Sequence, residues 1–451
     1  MSYKLTKYIE RTNYMYKLSK FNYHCLNDAG ELLLFNSYLG FNSMCKIKNK
    51  TVQRLFLENH TSLTDEILLK LVKKGIIVAN ELDEDMKLKS LITDTIASQR
   101  LGLTISPTEG CNFRCKYCYE SHDNLNITNE VKENIIIFVR NNIHKYTNLH
   151  VSWFGGEPLL SLKTVQDMSK EFMKICNFNR RKYSSTMTTN GYLLDIDTFK
   201  TLLDCKINLF QISIDGIKTT HDYQRPTVTG KTTFDLIVKN LLEIKKLRER
   251  NFHIVIRSNV TKEIFNDLDE YIDLISSICE NDNRFSVMIN FAAVWSDNID
   301  AEFQDTFFED LTSLSPIYQK IIDSKKKIKF LLPLNTSESC CHLGTNNSFF
   351  IRPNGEIHKC TILFEDPNNI VGNLVNGKMV LNDKYYSKNL NPNMCAELYD
   401  CFYAPLCKGE VCPAKRSEKT ECPSSKSILG YYLQLLDNYE TFDVVDEGEI
   451  I

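Results

Sequence analysis

Two hydrophobic rhythms alternate between residues 100 and 300. Short runs rich in β-branched and aromatic residues recur at LGLTIS (101–106), LHVSWF (149–154), YSSTMTT (183–189), INLFQISI (207–214), HIVIRSNV (253–260) and FSVMINF (285–291). Between them lie stretches with helical spacing. In 234–249, Phe234, Ile237, Val238, Leu241 and Ile244 fall on one face. Strands alternating with helices predict a parallel sheet with helices outside it, an α/β fold. Six such units suit an open, partial (β/α)6 barrel, fewer than the eight of a closed one. Chemistry in such folds belongs at the C-terminal ends of the strands.

The rhythm changes on either side. In residues 1–95, FNYHCLN (21–27) and ELLLFNS (31–37), joined through Asp28-Ala29-Gly30, read as a β-hairpin. Thr64-Asp65-Glu66-Ile67 leads into LLKLVKKG (68–75), an amphipathic helix stopped by Gly75, and IIVAN (76–80) reads as a short returning strand. The acidic run Glu81-Leu82-Asp83-Glu84-Asp85 reads as the solvated start of a linker. Residues 301–451 lose the βα alternation and carry the turn signals Pro353-Asn354-Gly355, Asn376-Gly377 and Asn391-Pro392. They read as a loop-rich domain with a frayed acidic tail, NYETFDVVDEGEI.

Composition narrows the setting. The 451 residues are 43% hydrophobic and 25% charged, ordinary for a globular protein, and the net charge of −3 gives no reason to expect nucleic acid or an anionic membrane as partner. No apolar run reaches bilayer length, and the opening MSYKLTKYIERTNYMYK lacks the apolar block of an export signal, so a cytoplasmic location is expected. Sixteen cysteines in such a chain need a reason. Cys25, Cys45, Cys176, Cys205 and Cys279 stand alone and suit buried apolar positions. The other eleven cluster: Cys111, Cys115 and Cys118, then Cys340, Cys341, Cys360, Cys395, Cys401, Cys407, Cys412 and Cys422. A disulfide framework belongs to secreted chains, so metal or cluster ligation is the better reading.

Cys111-Asn112-Phe113-Arg114-Cys115-Lys116-Tyr117-Cys118 directly follows the first barrel strand. Three thiolates can hold three irons of a [4Fe–4S] cubane and leave the fourth for an outside ligand, an open position of the catalytic kind. A zinc site would need a fourth protein ligand, for which His122 is the nearby candidate. This CxxxCxxC motif resembles the radical SAM superfamily, and further matches follow in order. Phe154-Gly155-Gly156-Glu157-Pro158 looks like the family's GGEP segment, which implies that Gly155, Gly156 and Glu157 contact the methionyl amino group of S-adenosylmethionine (SAM). Glycines admit backbone carbonyls, and a carboxylate pairs with an ammonium. Thr189-Asn190-Gly191 and Ser213-Ile214-Asp215-Gly216 resemble segments near the ribose and carboxylate of SAM. The resemblance adds Tyr117, Asn190, Ser213 and Arg225 to the cofactor-binding set, with Arg257 and Asn259 behind them. It implies reductive cleavage of SAM to methionine and a 5′-deoxyadenosyl radical that abstracts a substrate hydrogen.

The later cysteines run Cys341-x13-Gly355-x4-Cys360, then Cys395-x5-Cys401-x5-Cys407-x4-Cys412-x9-Cys422. This looks like the SPASM domain of radical SAM enzymes that modify peptides, although the family usually shows CxxCx5CxxxC. The resemblance implies two auxiliary [4Fe–4S] clusters, one on Cys341, Cys360 and Cys412 with Cys340 as a further candidate, the other on Cys395, Cys401, Cys407 and Cys422. Residues 1–95 resemble a winged-helix-like module that recognises leader peptides by strand addition. The rival, DNA binding around Lys46, Lys48 and Lys50, fits the overall charge less well. The expected whole is therefore a leader-recognition domain (1–95), a radical SAM partial barrel (100–300) and a SPASM-type domain (301–451). It is an oxidoreductase that matures a ribosomally made precursor peptide (a RiPP), with electrons from a flavodoxin or ferredoxin. A thioether crosslink from a cysteine sulfur to carbon is the first expectation. Carbon–carbon or carbon–oxygen crosslinking, epimerisation and sulfatase-type maturation are the alternatives, and a zinc-stabilised peptide- or DNA-binding protein is the non-enzymatic one. Three cubanes give a brown protein with about twelve irons per chain; iron and zinc analysis after anaerobic reconstitution measures this, and a colourless zinc protein that leaves SAM intact is the opposing result.

Overall fold

The computed structural model describes residues 8–11, 14–48, 50, 53, 65–293, 299, 301–309, 311–332, 334, 341–389, 397–409, 424–439 and 443–444. The chain divides into two compact units, residues 97–331 with 342–391, and residues 1–96 with 332–341 and 392–451. The division cuts across the expected boundary at residue 300, because the first part of the cysteine-rich region belongs with the barrel.

All six expected barrel strands form: β1 (Arg100–Ile105), β2 (Asn148–Trp153), β3 (Lys182–Thr189), β4 (Ile207–Ser213), β5 (His253–Val260) and β6 (Phe285–Phe291). They lie side by side in sequence order, every neighbouring pair parallel. The crossovers carry helices α1 (Asn129–Asn142), α2 (Leu162–Phe178), α3 (Ile196–Asp204), α4 (Phe234–Lys245) and α5 (Leu268–Cys279). Local chemistry sets their ends. Thr128 caps α1 by accepting from Val131 N at 3.2 Å, and Asp195 caps α3 by accepting from Thr198 N at 2.8 Å. Leu149, Val151, Trp153, Phe210, Ile212, Ile254 and Ile256 are buried on the helix side, where Phe210 packs on Phe199 of α3 at 4.9 Å. The opposite face of the same strands is polar: His150 of β2 bonds to Ser184 of β3 at 2.8 Å, and His253 of β5 to Ser286 of β6 at 2.8 Å.

The sheet does not stop at six strands. β7 (Ser348–Ile351) adds parallel to β1, and β8 (Glu356–His358), β9 (Ile370–Val375) and β10 (Lys378–Leu381) follow antiparallel, giving ten. The turn signals read from the sequence are real here. Gly355 sits at φ +87° between β7 and β8, and Asn376-Gly377 at φ +49° and +69° between β9 and β10. The expectation of a loop-rich region from 301 onward is corrected for this stretch, whose strands are too short to announce themselves and form by pairing onto β1. At the other edge, Val287 N donates to Lys329 O and Leu331 N to Val287 O, both at 2.8 Å. Among the described residues no helix is long and apolar enough to cross a membrane.

The second unit contains the expected hairpin, Asn22–Leu26 paired with Leu32–Asn36, extended by Cys45–Ile47. Helix Asp65–Lys73 ends at Gly75 (φ +67°), and Ile77–Ala79 pairs with Tyr14–Leu18. Leu32, Leu34, Cys45, Ile47, Ile67, Leu71, Ile76 and Ile77 form its core. Two expectations are amended. Asp443–Val444, in the tail read as frayed, pairs parallel with Cys45–Lys46. The acidic run is solvated at Glu81, Asp83 and Asp85, but Glu84 opens helix Glu84–Ile96 and is buried, accepting from Ser19 Oγ at 2.6 Å and Lys20 N at 3.3 Å. A carboxylate at a helix start also meets the positive end of the dipole. Glu84→Ala strands both donors, so hydrogen exchange across residues 84–96 should report a loss of about 1–3 kcal/mol of protection.

Candidate active site

Cys111, Cys115 and Cys118 occupy the loop after β1, at the C-terminal edge of the sheet. Backbone bonds fasten the loop: Arg114 N to Pro226 O and Lys116 N to Gln224 O, both at 2.9 Å, and Cys118 N to Cys115 O at 3.1 Å. Phe113 is buried as the loop's anchor and meets Tyr192 edge-on at 5.6 Å. A bidentate pair holds the loop's base, Arg352 Nε and Nη2 donating to Glu109 at 2.7 and 3.0 Å. Burial pushes the Cys111 thiol up to about 12, and it raises Cys115 and Cys118 too, with neighbouring thiols adding to Cys111 and Cys118 and the acids Asp215 and Glu120 adding to Cys115.

The three thiols face one cavity, together with Gly155, Gly156, Asn190, Ser213, Arg225 and Tyr117. The residues fit the group that the motif implies. Gly155 and Gly156 take φ +87° and +42°, and a Cβ on Gly156 would lie 2.2 Å from Gly110 O, so only glycine lets this turn close on the cluster loop. Glu157 N donates to that same Gly110 O at 2.9 Å. Arg225 Nε is buried without a hydrogen-bond partner, a donor that an anionic group would satisfy. A cubane asks each thiolate to reach a different corner; among the described residues no three His, Cys, Asp or Glu side chains gather as they would around a single metal ion. His122 lines the same cavity.

Glu157 departs from its expected role. Its side chain is fully buried, and its carboxylate accepts from Leu159 N at 3.0 Å, Thr189 Oγ1 at 2.7 Å and Asn190 N at 2.7 Å. It clasps the end of β2 to the end of β3 and is not among the residues lining the cavity. The carboxylate that lines it is Glu120, which accepts from Gly156 N at 2.6 Å and is pushed up to about 7 by burial. Sequence reasoning missed Glu120 because nothing local marks a charged residue two places beyond Cys118 as half-buried.

Arg225 is likewise partly spent. Its Nη1 donates to Tyr117 Oη and pairs with Asp215 at 3.2 Å. Asp215, also missed, is buried at the end of β4 and accepts from Tyr117 Oη and from Asn259 N at 2.7 Å. Its signal was present in the Ser213–Gly216 segment. Asn190 Nδ2 reaches Asn112 of the cluster loop at 2.8 Å, and Arg257 Nε donates to Asn259 Oδ1 at 2.9 Å. Of the later cysteines, Cys360 is buried after β8, its carbonyl held by Asn369 Nδ2 at 2.8 Å. In the other unit Cys341 is exposed, and Cys401 and Cys407 are half-buried around the single turn Ala404–Cys407. Cys340, Cys395, Cys412 and Cys422 lie outside the described residues.

The sequence profile of the radical SAM superfamily matches residues 105–275, from the end of β1 through α5. Residues 105–275 carry a radical SAM domain. Such a domain implies SAM and a [4Fe–4S] cluster. The chain is 25% identical over 358 residues to a cysteine-type anaerobic sulfatase-maturating enzyme of Clostridium perfringens, covering 74% of this chain and 94% of that one. Its fold is shared with the solved structure of anSMEcpe with bound AdoMet and Cp18Cys peptide (TM-score 0.55, 19% identity, 75% of this chain and 96% of that one). It is shared also with Streptococcus suis SuiB bound to precursor peptide SuiA (TM-score 0.51, 16% identity, 89% and 97%). If the glycine turn must close on the cluster loop, Gly156→Ala should weaken SAM binding to the reconstituted enzyme by at least about tenfold. Gly30→Ala, also at positive φ but with nothing within 4 Å of the new Cβ, should leave it unchanged; calorimetric titration measures both.

Proposed function

We propose that this enzyme matures a ribosomally made precursor peptide, and that the modification is a thioether joining a cysteine sulfur to carbon. The observation that supports a peptide substrate best is the extent of the likeness to the sulfatase-maturating enzyme, which runs over 94% of that protein and so well beyond the cluster-binding core. The SuiB structure, which aligns with 89% of this chain, has a precursor peptide bound. Residues 1–95 serve as the winged-helix-like leader-binding element in this reading. Asn22–Leu26 is the edge strand of its sheet, and an edge strand offers main-chain groups to an added strand. Lys46, at the centre of the basic residues that favoured DNA, is paired with Glu31 at 3.2 Å and Asp437 at 2.8 Å, which favours the peptide.

Cys111, Cys115 and Cys118 would hold the SAM-binding cluster. Gly155 and Gly156 open the backbone to the methionyl end, Arg225 Nε meets the carboxylate, Asn190 and Ser213 face the ribose, and Tyr117 closes the wall. When bound, the cluster and SAM supply a carbon-centred radical that takes a hydrogen atom from the substrate. Residues 301–451 act as the SPASM-type domain with two auxiliary clusters, on Cys341, Cys360 and Cys412 (with Cys340) and on Cys395, Cys401, Cys407 and Cys422. Three ligands on the first would leave an iron for a substrate thiolate, a soft ligand suited to it, which is why a thioether is preferred over carbon–carbon, carbon–oxygen or epimerised products. The sulfatase relative sustains a second reading, oxidation of a single cysteine or serine. A flavodoxin or ferredoxin would supply the electrons.

The test is chemical. Replacing Cys111, Cys115 and Cys118 together by alanine should abolish 5′-deoxyadenosine formation while about eight of twelve irons stay bound. Incubating the wild type with a cysteine-rich peptide encoded beside its gene should give a product lighter by two hydrogens that resists thiol alkylation. Unchanged SAM cleavage in the triple variant refutes the cluster assignment, and a product of unchanged mass refutes the crosslink.

A further inference from the structure

Below the cluster cavity the barrel interior is itself a cavity of about 330 Å³, at the lower end of the range of ligand sites, about 300–1,000 Å³. Phe154, Thr188 and Gln211 line both cavities, so they adjoin. A parallel barrel ordinarily fills its interior with layers of branched apolar side chains. Here the wall carries Thr104 on β1, His150 and Ser152 on β2, Thr186 and Thr188 on β3 and Gln211 on β4. Part of it is knit together: Ser152 Oγ lies 3.3 Å from His150 Nε2, and Thr186 Oγ1 donates to Ser152 Oγ at 3.1 Å. Trp153, Phe154, Met187, Leu209, Val255 and Leu331 supply the apolar part of the wall. The helix-facing side of the same strands is mostly apolar, with Ser185 and Ser258 as buried exceptions, so the polar side chains are concentrated on the face turned toward the cavity. His150, Ser152, Thr186, Thr188 and Gln211 are half-buried, and an occupant with its own donors and acceptors can bond to them where an aliphatic one would only displace their water.

We propose that this cavity receives the side chain of the peptide residue that gives up its hydrogen, and that it takes a hydroxyl or carboxamide side chain (Thr, Ser, Asn or Gln) in preference to an aliphatic one. The inference rests on the peptide reading above and goes beyond it in naming the residue class. A site built to bond a hydroxyl rejects the isostere that lacks it far more strongly than an apolar pocket separates similar shapes.

Threonine and valine are such a pair. Synthetic pentapeptides Gly-Gly-Xaa-Gly-Gly, with Xaa perdeuterated threonine, asparagine, valine or leucine, are supplied at millimolar concentration to the reconstituted enzyme with SAM and reductant. When a C–D bond of Xaa breaks, its deuterium passes to the 5′-carbon of the adenosyl fragment, and mass spectrometry counts it. Threonine and asparagine should label 5′-deoxyadenosine at least tenfold more than valine and leucine. In the Thr186→Val, Gln211→Leu double variant, whose folding is checked by iron content and the resonance spectrum of the reduced cluster, that ratio should fall towards one. Equal labelling from valine in the wild type, or an undiminished preference in the double variant, overturns the proposal alone. No label from any pentapeptide, while 5′-deoxyadenosine still forms, overturns this proposal, whereas the peptide reading stands or falls with the leader-bearing precursor tested above.

Discussion

Two buried carboxylates hold the catalytic edge of this sheet together. Glu157 at the end of β2 takes donors from Thr189 and Asn190 at the end of β3, and Asp215 at the end of β4 takes the Asn259 amide at the end of β5. Each is also tied to the cluster loop, Glu157 through its own amide on Gly110 and Asp215 through the Tyr117 hydroxyl. Strand termini on a parallel sheet present amides and carbonyls that have run out of ladder partners, and an ionised side chain accepting several amide bonds satisfies them at once. The cluster loop is thus braced from two points along the edge, and the Arg352–Glu109 pair adds a third from the strands beyond β1. Removing one member of such a pair leaves a charge buried and uncompensated, so substitution there is costly.

The sheet serves two environments. Its helix side is close-packed, with Phe199, Phe210 and Phe252 in edge and tilted contacts under α3. Its other side holds a cavity lined by both polar and apolar side chains. The segments at either edge complete the enclosure: Leu331, beside β6, and Thr361, just after β8, both line the lumen. Part of what reads as the C-terminal region is therefore wall for the catalytic barrel, and a boundary drawn at residue 300 separates residues that act on one cavity.

The parts legible in the sequence are those whose signal is local. Six strands announce themselves by β-branched runs, the hairpin by its turn, and the three cysteines by spacing at a strand's end. What escaped is long-range pairing. Ser348–Ile351 is four residues long and becomes a strand only because β1 offers it an edge. Glu84, Glu109, Glu120 and Asp215 look like surface acids, yet Glu120 is half-buried and the others are buried, each beside a partner remote in sequence that answers the charge or supplies a donor: Ser19, Arg352, Gly156 and Arg225. The resemblance located the Gly155–Glu157 turn, whose glycines take positive φ, and what it did not foresee is that the Glu157 carboxylate accepts from Leu159, Thr189 and Asn190.

The distribution of charge at the cavity follows from the same economy of donors. Three thiols and Glu120 line one side with Glu157 behind them; burial raises every one of them by disfavouring the charged form, and neighbouring acidic groups add to the rise at the thiols and Glu120. Arg225 and Arg257 are the cations that line this cavity, and Arg225 already answers Asp215. Cys111, Cys115 and Cys118 would hold an iron centre that replaced their thiol protons, and its positive charge would offset the crowding of like charge. The site would then offer its remaining donors, Arg225 Nε among them, to an anionic ligand group.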